Sequence, residues 1–213
     1  LTTGGLGMNP ARAQKCRIFG QVNVSLDGLG DVYRASRGYD GDKKALRALR
    51  LLSDAGVSVG INAVVSRTTW PTLEETIGAA IEAGATEVEL LRFKPAGRAH
   101  ATYFAERLAE DQRRALMPTL VRWMQRWPDI NLKIDCSFVP FLCAANPSPE
   151  LLETFGVIGC EAGHVLGAVR ADLQTTACSF IEQPLGHAAT VADTWSNDER
   201  LHAWRTFPER APE

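Results

Sequence analysis

No apolar run in the sequence approaches the roughly 20 residues that a membrane-spanning helix needs, and no charged segment followed by an apolar stretch opens it. The chain therefore reads as cytoplasmic, with no membrane partner. An excess of one charge is missing as well. Lys and Arg number 23 against 25 Asp and Glu, a net charge of −2, so no basic field exists to neutralise a run of phosphates, and a nucleic-acid partner is not expected. Cysteine is scarce and odd in number: Cys16, Cys136, Cys143, Cys160 and Cys178. Without a C-x-x-C pair among them, a secreted disulfide framework, a zinc ribbon and a thioredoxin motif all lack support. There is no internal repeat and no G-x-G-x-x-G phosphate turn. What remains is a chain of 213 residues, 45% hydrophobic and 23% charged, enough for one large globular domain or two small ones.

Hydrophobic periodicity supplies the element order. Gln21 to Leu26 alternates apolar Val22, Val24 and Leu26 with polar neighbours, a strand pattern that Asp27-Gly28-Leu29-Gly30 ends. After a polar loop, Asp42 is placed to cap a helix with Leu46, Leu49, Leu52 and Ala55 at helical spacing, stopped by Gly56. Val57 to Val65 reads as the next strand, and the helix that opens at Pro71 with acidic residues in its first turn stops at Gly84. Glu87 to Phe93 is a third strand. A long helix from about Tyr103 to Trp127, kinked at Pro118, and a strand from Ile130 to Phe138 follow.

Strands separated by helical crossovers are parallel, with the helices packed outside. The fold class is thus α/β. Four such strands do not close a barrel, which takes about eight in the commonest case, and the chain begins at Leu1 rather than Met. The expectation is the C-terminal half of a partial TIM-like barrel over residues 1–140, cut from a longer protein. Composition changes near residue 140. Ser148 caps a short helix from Pro149 to Thr154, and Val165 to Val169, a turn near Ala171-Asp172-Leu173, and Gln174 to Cys178 form a small hairpin in a second, α+β domain over 141–213. Cys160 enters before that hairpin and Cys178 ends it, so both thiols belong to one open end.

In parallel α/β folds the carboxyl ends of the strands carry function. Those positions hold Ser25 and Asp27, Asn62 and Ser66, Arg92 and Lys94, and Asp135. Each could equally be a turn former or helix cap. Asn62 is the most telling, because an amide inside an apolar strand is costly without a partner.

The segments Val-Asn-Val-Ser-Leu-Asp-Gly (22–28), Tyr33 to Arg37-Gly38, Ala-Gly-Val-Ser-Val-Gly-Ile-Asn-Ala-Val-Val (55–65) and Arg-Phe-Lys-Pro-Ala-Gly-Arg-Ala (92–99) resemble the later strands of radical S-adenosylmethionine (AdoMet) enzymes with a partial (β/α)6 barrel. Gly-Cys-Glu-Ala-Gly (159–163), the hairpin to Cys178-Ser179-Phe180, Thr194-Trp195 and Leu201 to Arg205 resemble the SPASM/twitch auxiliary-cluster domain of the branch that matures peptides and proteins. The resemblance implies that Ser25, Asp27, Asn62 and Arg92 line the AdoMet cleft, Arg92 forking onto a carboxylate, and that Gly97, lacking a Cβ, lets backbone approach the adenine. It implies that Cys160 and Cys178 ligate part of an auxiliary [4Fe-4S] cluster, with Leu173 standing where the family has Gly. A peptide or small-molecule substrate and an electron donor such as flavodoxin or ferredoxin belong to the same implication. The C-x-x-x-C-x-x-C that holds the catalytic cluster occurs nowhere in the sequence. No catalytic residue is assigned, and the chain alone is expected to be inert.

Two other readings of the residues stay open. Lys94 could be the Schiff-base amine of an α/β-barrel lyase or aldolase, with Arg92 and the Gly97-Arg98 turn holding a phosphate. Alternatively, Cys160, His164 and Cys178 could hold zinc in an interaction module.

Overall fold

Alternation along Gln21–Leu26 sends odd- and even-numbered side chains to opposite faces of a strand, and the whole first sheet follows that division. The computed structural model describes residues 1–157 and 159–206, in two units, Leu1–Val157 and Ile158–Glu213. The first unit runs β1 (Thr2–Thr3), α1 (Pro10–Lys15), β2 (Val22–Ser25), α2 (Gly30–Arg37), α3 (Asp42–Asp54), β3 (Val59–Val65), α4 (Leu73–Glu82), β4 (Glu87–Arg92), α5 (Tyr103–Glu106), α6 (Glu110–Arg126), β5 (Asn131–Ile134), α7 (Val139–Leu142) and α8 (Pro149–Thr154). Its five strands are all parallel and lie side by side in chain order. Strand order never reverses, so the sheet lacks the switch point of a doubly wound fold.

One face is apolar and buried: Val22 and Val24, Val59, Ile61, Ala63 and Val65, Val88 and Leu90, then Leu132 and Ile134. Leu49 and Leu52 of α3, Ile77 of α4, and Leu116 and Leu120 of α6 share its core, each worth about 1.5–3 kcal/mol of burial. Glu74 ties α4 to α6, accepting from Trp123 Nε1 at 2.9 Å; that bond, with help from Arg122 and Arg126, holds its carboxyl below the ordinary glutamate range.

Four local differences from the sequence expectations have physical causes. The stretch read as a polar loop contains α2, which has little apolar periodicity of its own and is anchored through buried Tyr33 and two contacts to Asp27. Asp42 is the first residue of α3 rather than its cap, and its Oδ2 accepts the Gly30 N–H at 2.9 Å, which lowers its pKa. The single helix expected over 103–127 is two, α5 and α6, because the chain extends at Arg107 and Gln112 Oε1 takes the Ala109 N–H at 2.9 Å to start α6 afresh. That helix passes through Pro118 without ending. Finally, β5 stops at Ile134, where Asp135 caps a 3₁₀ turn by accepting the Ser137 N–H at 2.7 Å.

The stretch 141–157, assigned by composition to the second domain, packs with the first unit: Leu142, Phe155 and Val157 lie in its core, and Ile134 N–H donates to the Phe155 carbonyl at 3.0 Å. The second unit holds an antiparallel sheet of β6 (Ala168–Val169), β7 (Gln174–Thr176) and β8 (Gly186–His187), then α9 (Val191–Asn197) and α10 (Glu199–Arg205). Ala162, Ala177 and Leu201 form its small core with Trp195 packed against them. In the β6–β7 turn Leu173 has φ 62°, the left-handed region that favours glycine. Among the described residues no helix is long and apolar enough to cross a membrane.

Candidate functional site

The face of the first sheet opposite the apolar core is polar, and its residues come from every strand between β2 and β5. Register places Asn23 beside Gly60, Ser25 beside Asn62, Asn62 beside Glu89, Glu87 beside Asn131 and Glu89 beside Lys133. Asn23 Nδ2 donates to Asn62 Oδ1 at 2.7 Å and lies 3.3 Å from Glu87 Oε1, while Gln21 Nε2 donates to Asn23 Oδ1 at 2.9 Å. Glu87 is neutralised by Lys133, 2.6 Å away, and accepts from Asn131 Nδ2 at 2.9 Å. Among the described residues Glu89 accepts one long hydrogen bond, from Asn23 at 3.5 Å. Burial first, then the charges of Glu87 and Asp135, push its pKa up.

Within this network Ser25 and Asn62 are cross-strand partners, both half-buried. Among the described residues the Ser25 hydroxyl has no hydrogen-bond partner, and the Asn62 amide nitrogen is likewise uncommitted while Asn23 fixes its oxygen. The amide in the apolar strand thus has its partner on the neighbouring strand. Two adjacent donors, carried on paired strands and partly open to solvent, are placed to meet oxygen acceptors of a ligand.

The other named residues are differently occupied. Asp27 is buried. Its Oδ1 accepts the Val64 N–H at 2.8 Å, and its Oδ2 accepts Ser36 Oγ at 3.1 Å and sits 2.5 Å from Arg37 Nε, so it joins β3 to α2. Arg92 follows the parity of Val88 and Leu90 onto the helix side, where its Nη1 donates to the Ser137 carbonyl at 2.9 Å and its Nη2 to the Tyr103 hydroxyl at 3.1 Å. Lys94 Nζ lies 2.6 Å from Asp135 Oδ2, which also accepts the Arg92 N–H at 3.1 Å; that engagement counts against a Schiff-base role for Lys94. Ser66 and Thr69 exchange bonds, Ser66 N–H to Thr69 Oγ1 at 2.9 Å and Thr69 N–H to Ser66 Oγ at 3.2 Å, the turn that leads toward α4. Gly97 is exposed at φ 57° with open space where a Cβ would stand.

In the second unit Gly163 N–H donates to the Ala177 carbonyl at 3.1 Å, which lays the segment after Cys160 against the one before Cys178. Arg205 holds this loop in place, its Nε donating to the Gly163 carbonyl at 2.8 Å and its Nη1 to the Trp195 carbonyl at 2.9 Å, with the guanidinium 4.8 Å over the Trp195 ring. Among the described residues no three His, Cys, Asp or Glu side chains gather as a metal site. Cys160, His164 and Cys178 therefore do not form the zinc trio, and a [4Fe-4S] cluster is not fitted by the described residues alone. Cys16 is buried, whereas Cys136 and Cys143 are exposed.

Sequence reasoning passed over Asn23, Glu87 and Glu89. The signal was available in the polar half of the alternation, Gln21-x-Asn23-x-Ser25 and Glu87-x-Glu89, which marks a second face that is neither core nor ordinary surface.

No family model and no curated protein matches the chain. Solved structures do. Native anSMEcpe with bound AdoMet superposes with a TM-score of 0.66 at 16% identity, over 95% of this chain and 57% of that one. Streptococcus suis SuiB bound to S-adenosylmethionine gives 0.64 at 16% identity, over 95% and 47%. The likeness is one of fold: the parallel α/β sheet with its helices matches the structures of these radical SAM enzymes. Related structures hold peptides: anSMEcpe with AdoMet and the Cp18Cys peptide, TM-score 0.67 at 16% identity over 95% and 58%, and SuiB with its precursor peptide SuiA, 0.62 at 14% over 95% and 46%. The chain spans about half the length of the structures it matches.

Proposed function

We propose that this chain is the later part of a radical SAM barrel followed by a SPASM/twitch auxiliary-cluster domain, and that the longer protein cleaves AdoMet reductively to take a hydrogen atom from a peptide. The observation that carries the reading is the Ser25–Asn62 pair: two uncommitted donors at register partners on the polar face of a sheet with this fold. Bound AdoMet supplies hydrogen abstraction after one-electron reduction, from a donor such as flavodoxin or ferredoxin. The chain's own residues bind and orient. Ser25 Oγ and Asn62 Nδ2 donate to AdoMet oxygens, and Asn23 keeps the Asn62 amide from flipping by holding its Oδ1. Glu87, Glu89 and Lys133 form the polar floor below them. The peptide substrate class rests on the Cp18Cys and SuiA complexes of the structural neighbours. Cys160 and Cys178 are proposed as two thiolate ligands of an iron–sulfur site whose other ligands lie outside the described residues.

AdoMet titrated calorimetrically into the protein is expected to bind, with Ser25→Ala and Asn62→Ala each weakening it about tenfold. Unchanged affinity in both variants removes the site. For the whole protein with its flanking sequence, reconstituted anaerobically with iron and sulfide, failure to cleave AdoMet under reduction defeats the proposed activity.

A further inference from the structure

Beyond the polar face, the ends of β3 and β4 and the helices after them enclose a second space. Arg92, Phe93, Tyr103, Arg107, Arg113 and Phe141 line a cavity of about 200 Å³. Its aromatic walls are ordered. Phe93 and Tyr103 stack with centroids 6.4 Å apart and planes 8° from parallel. The Phe141 ring carries two guanidiniums, Arg92 at 5.1 Å and Arg113 at 5.7 Å from its centroid. Like charges gathered on one ring repel in a partly enclosed, low-dielectric space.

Among the described residues only Arg113 of the three arginines has a carboxylate partner, Glu110. Arg92 is fixed by two neutral acceptors, the Ser137 carbonyl and the Tyr103 hydroxyl. Arg107 stacks on Phe104 at 5.1 Å, and among the described residues neither it nor Arg92 has a carboxylate within ion-pair reach of its guanidinium. Arg113 pairs with Glu110 through Nη2, yet its Nε is buried with no hydrogen-bond partner. Glu106, close in the chain to Arg107, does not line the cavity and accepts from Ser66 Oγ at 3.3 Å. Three guanidiniums at one cavity, Arg107 at its exposed mouth and Arg113 with a buried N–H orphaned, are the donor set that recognises an oxyanion, and the flanking rings suit a flat apolar body beside it.

We propose that this cavity binds an oxyanion, carboxylate or phosphate, carried on an aromatic group. Arg92, Arg107 and Arg113 hold the anion, and Phe93, Tyr103 and Phe141 hold the ring. By parity Arg92 is on the opposite side of the sheet from Ser25 and Asn62, so the cavity is a different site, and its test needs neither AdoMet nor iron.

Calorimetric titration with N-acetylphenylalanine, its uncharged amide and phenyl phosphate reads the proposal directly. One or both anions are expected to bind while the amide does not, and the tighter anion identifies the source. Arg107→Gln and Arg113→Gln are each expected to weaken that anion about tenfold or more. Arg92→Lys keeps the charge but loses the fork, and is expected to weaken it as well. Arg107 is exposed, so its replacement leaves the fold standing, and a thermal melt of every variant separates lost binding from lost structure. Equal binding of acid and amide, no binding of either anion, or unchanged affinity in folded Arg107→Gln overturns the assignment.

Discussion

Asn23 and Gly60 are partners across the β2–β3 pair, and a Cβ on Gly60 would stand 2.7 Å from Asn23 Oδ1 and 2.8 Å from the Glu87 carbonyl oxygen. The bare backbone at Gly60 is what admits the Asn23 side chain to the centre of the polar face. Gly60→Ala must move a backbone oxygen as well as a side chain, and is expected to cost about 1–3 kcal/mol in urea denaturation. A neutral or stabilising result would show that the Asn23 network tolerates displacement.

Asp27 is the joint between β3 and α2. Asp27→Ala leaves the Val64 N–H without its acceptor and Arg37, only 28% exposed, without its counter-ion. A loss of about 3 kcal/mol is expected, with faster amide exchange along Gly30–Arg37. A loss below about 1 kcal/mol, the scale of an exposed pair, would place the residue outside the folding core.

Glu89 has a pKa raised by burial and by Glu87. A carboxyl shifted upward in the fold contributes stability that is complete below its unfolded value and is lost as pH rises through the folded value. Glu89→Gln, neutral at every pH, is therefore expected to melt above the wild type at neutral pH. The gap narrows as pH falls into the ordinary glutamate range. Melting curves at several pH values check the sign, and a variant that melts lower throughout would contradict it.

Leu173 occupies a conformation that glycine adopts freely, and at 51% exposure it has little burial to lose. Leu173→Gly is expected to stabilise the β6–β7 turn by about 1 kcal/mol. The Arg170 amide, which donates to Gln174 across the turn at 2.8 Å, reports this locally through slower hydrogen exchange.

The strands from β2 to β5 were legible because each obeys its own alternation, and α3 and α4 because their apolar periods end at Gly56 and Gly84, both at positive φ. Helix α2 was not, since the residue that anchors it, Asp27, lies outside it and reaches Ser36 and Arg37 across the intervening chain. The break between α5 and α6 was hidden by Leu108, which continues the helical period in sequence while the backbone leaves it. Ser25 and Asn62 could be nominated from their types, but their adjacency depends on a β2–β3 register that no local pattern specifies. The side of the sheet taken by Arg92 follows from strand parity, as the partner of Val65 and in step with Val88 and Leu90. The extension of the first unit to Val157 reflects Phe155, whose burial the nearby breaker residues of 146–149 did not foretell.

The grip of Arg205 on the Gly163 and Trp195 carbonyls has a thermodynamic consequence for the loop before it. A segment that is already ordered surrenders little further conformational freedom in any later contact, so the entropy of arranging the backbone at Gly163 is charged to folding. The order of that segment is in this way set partly by a side chain near the end of α10.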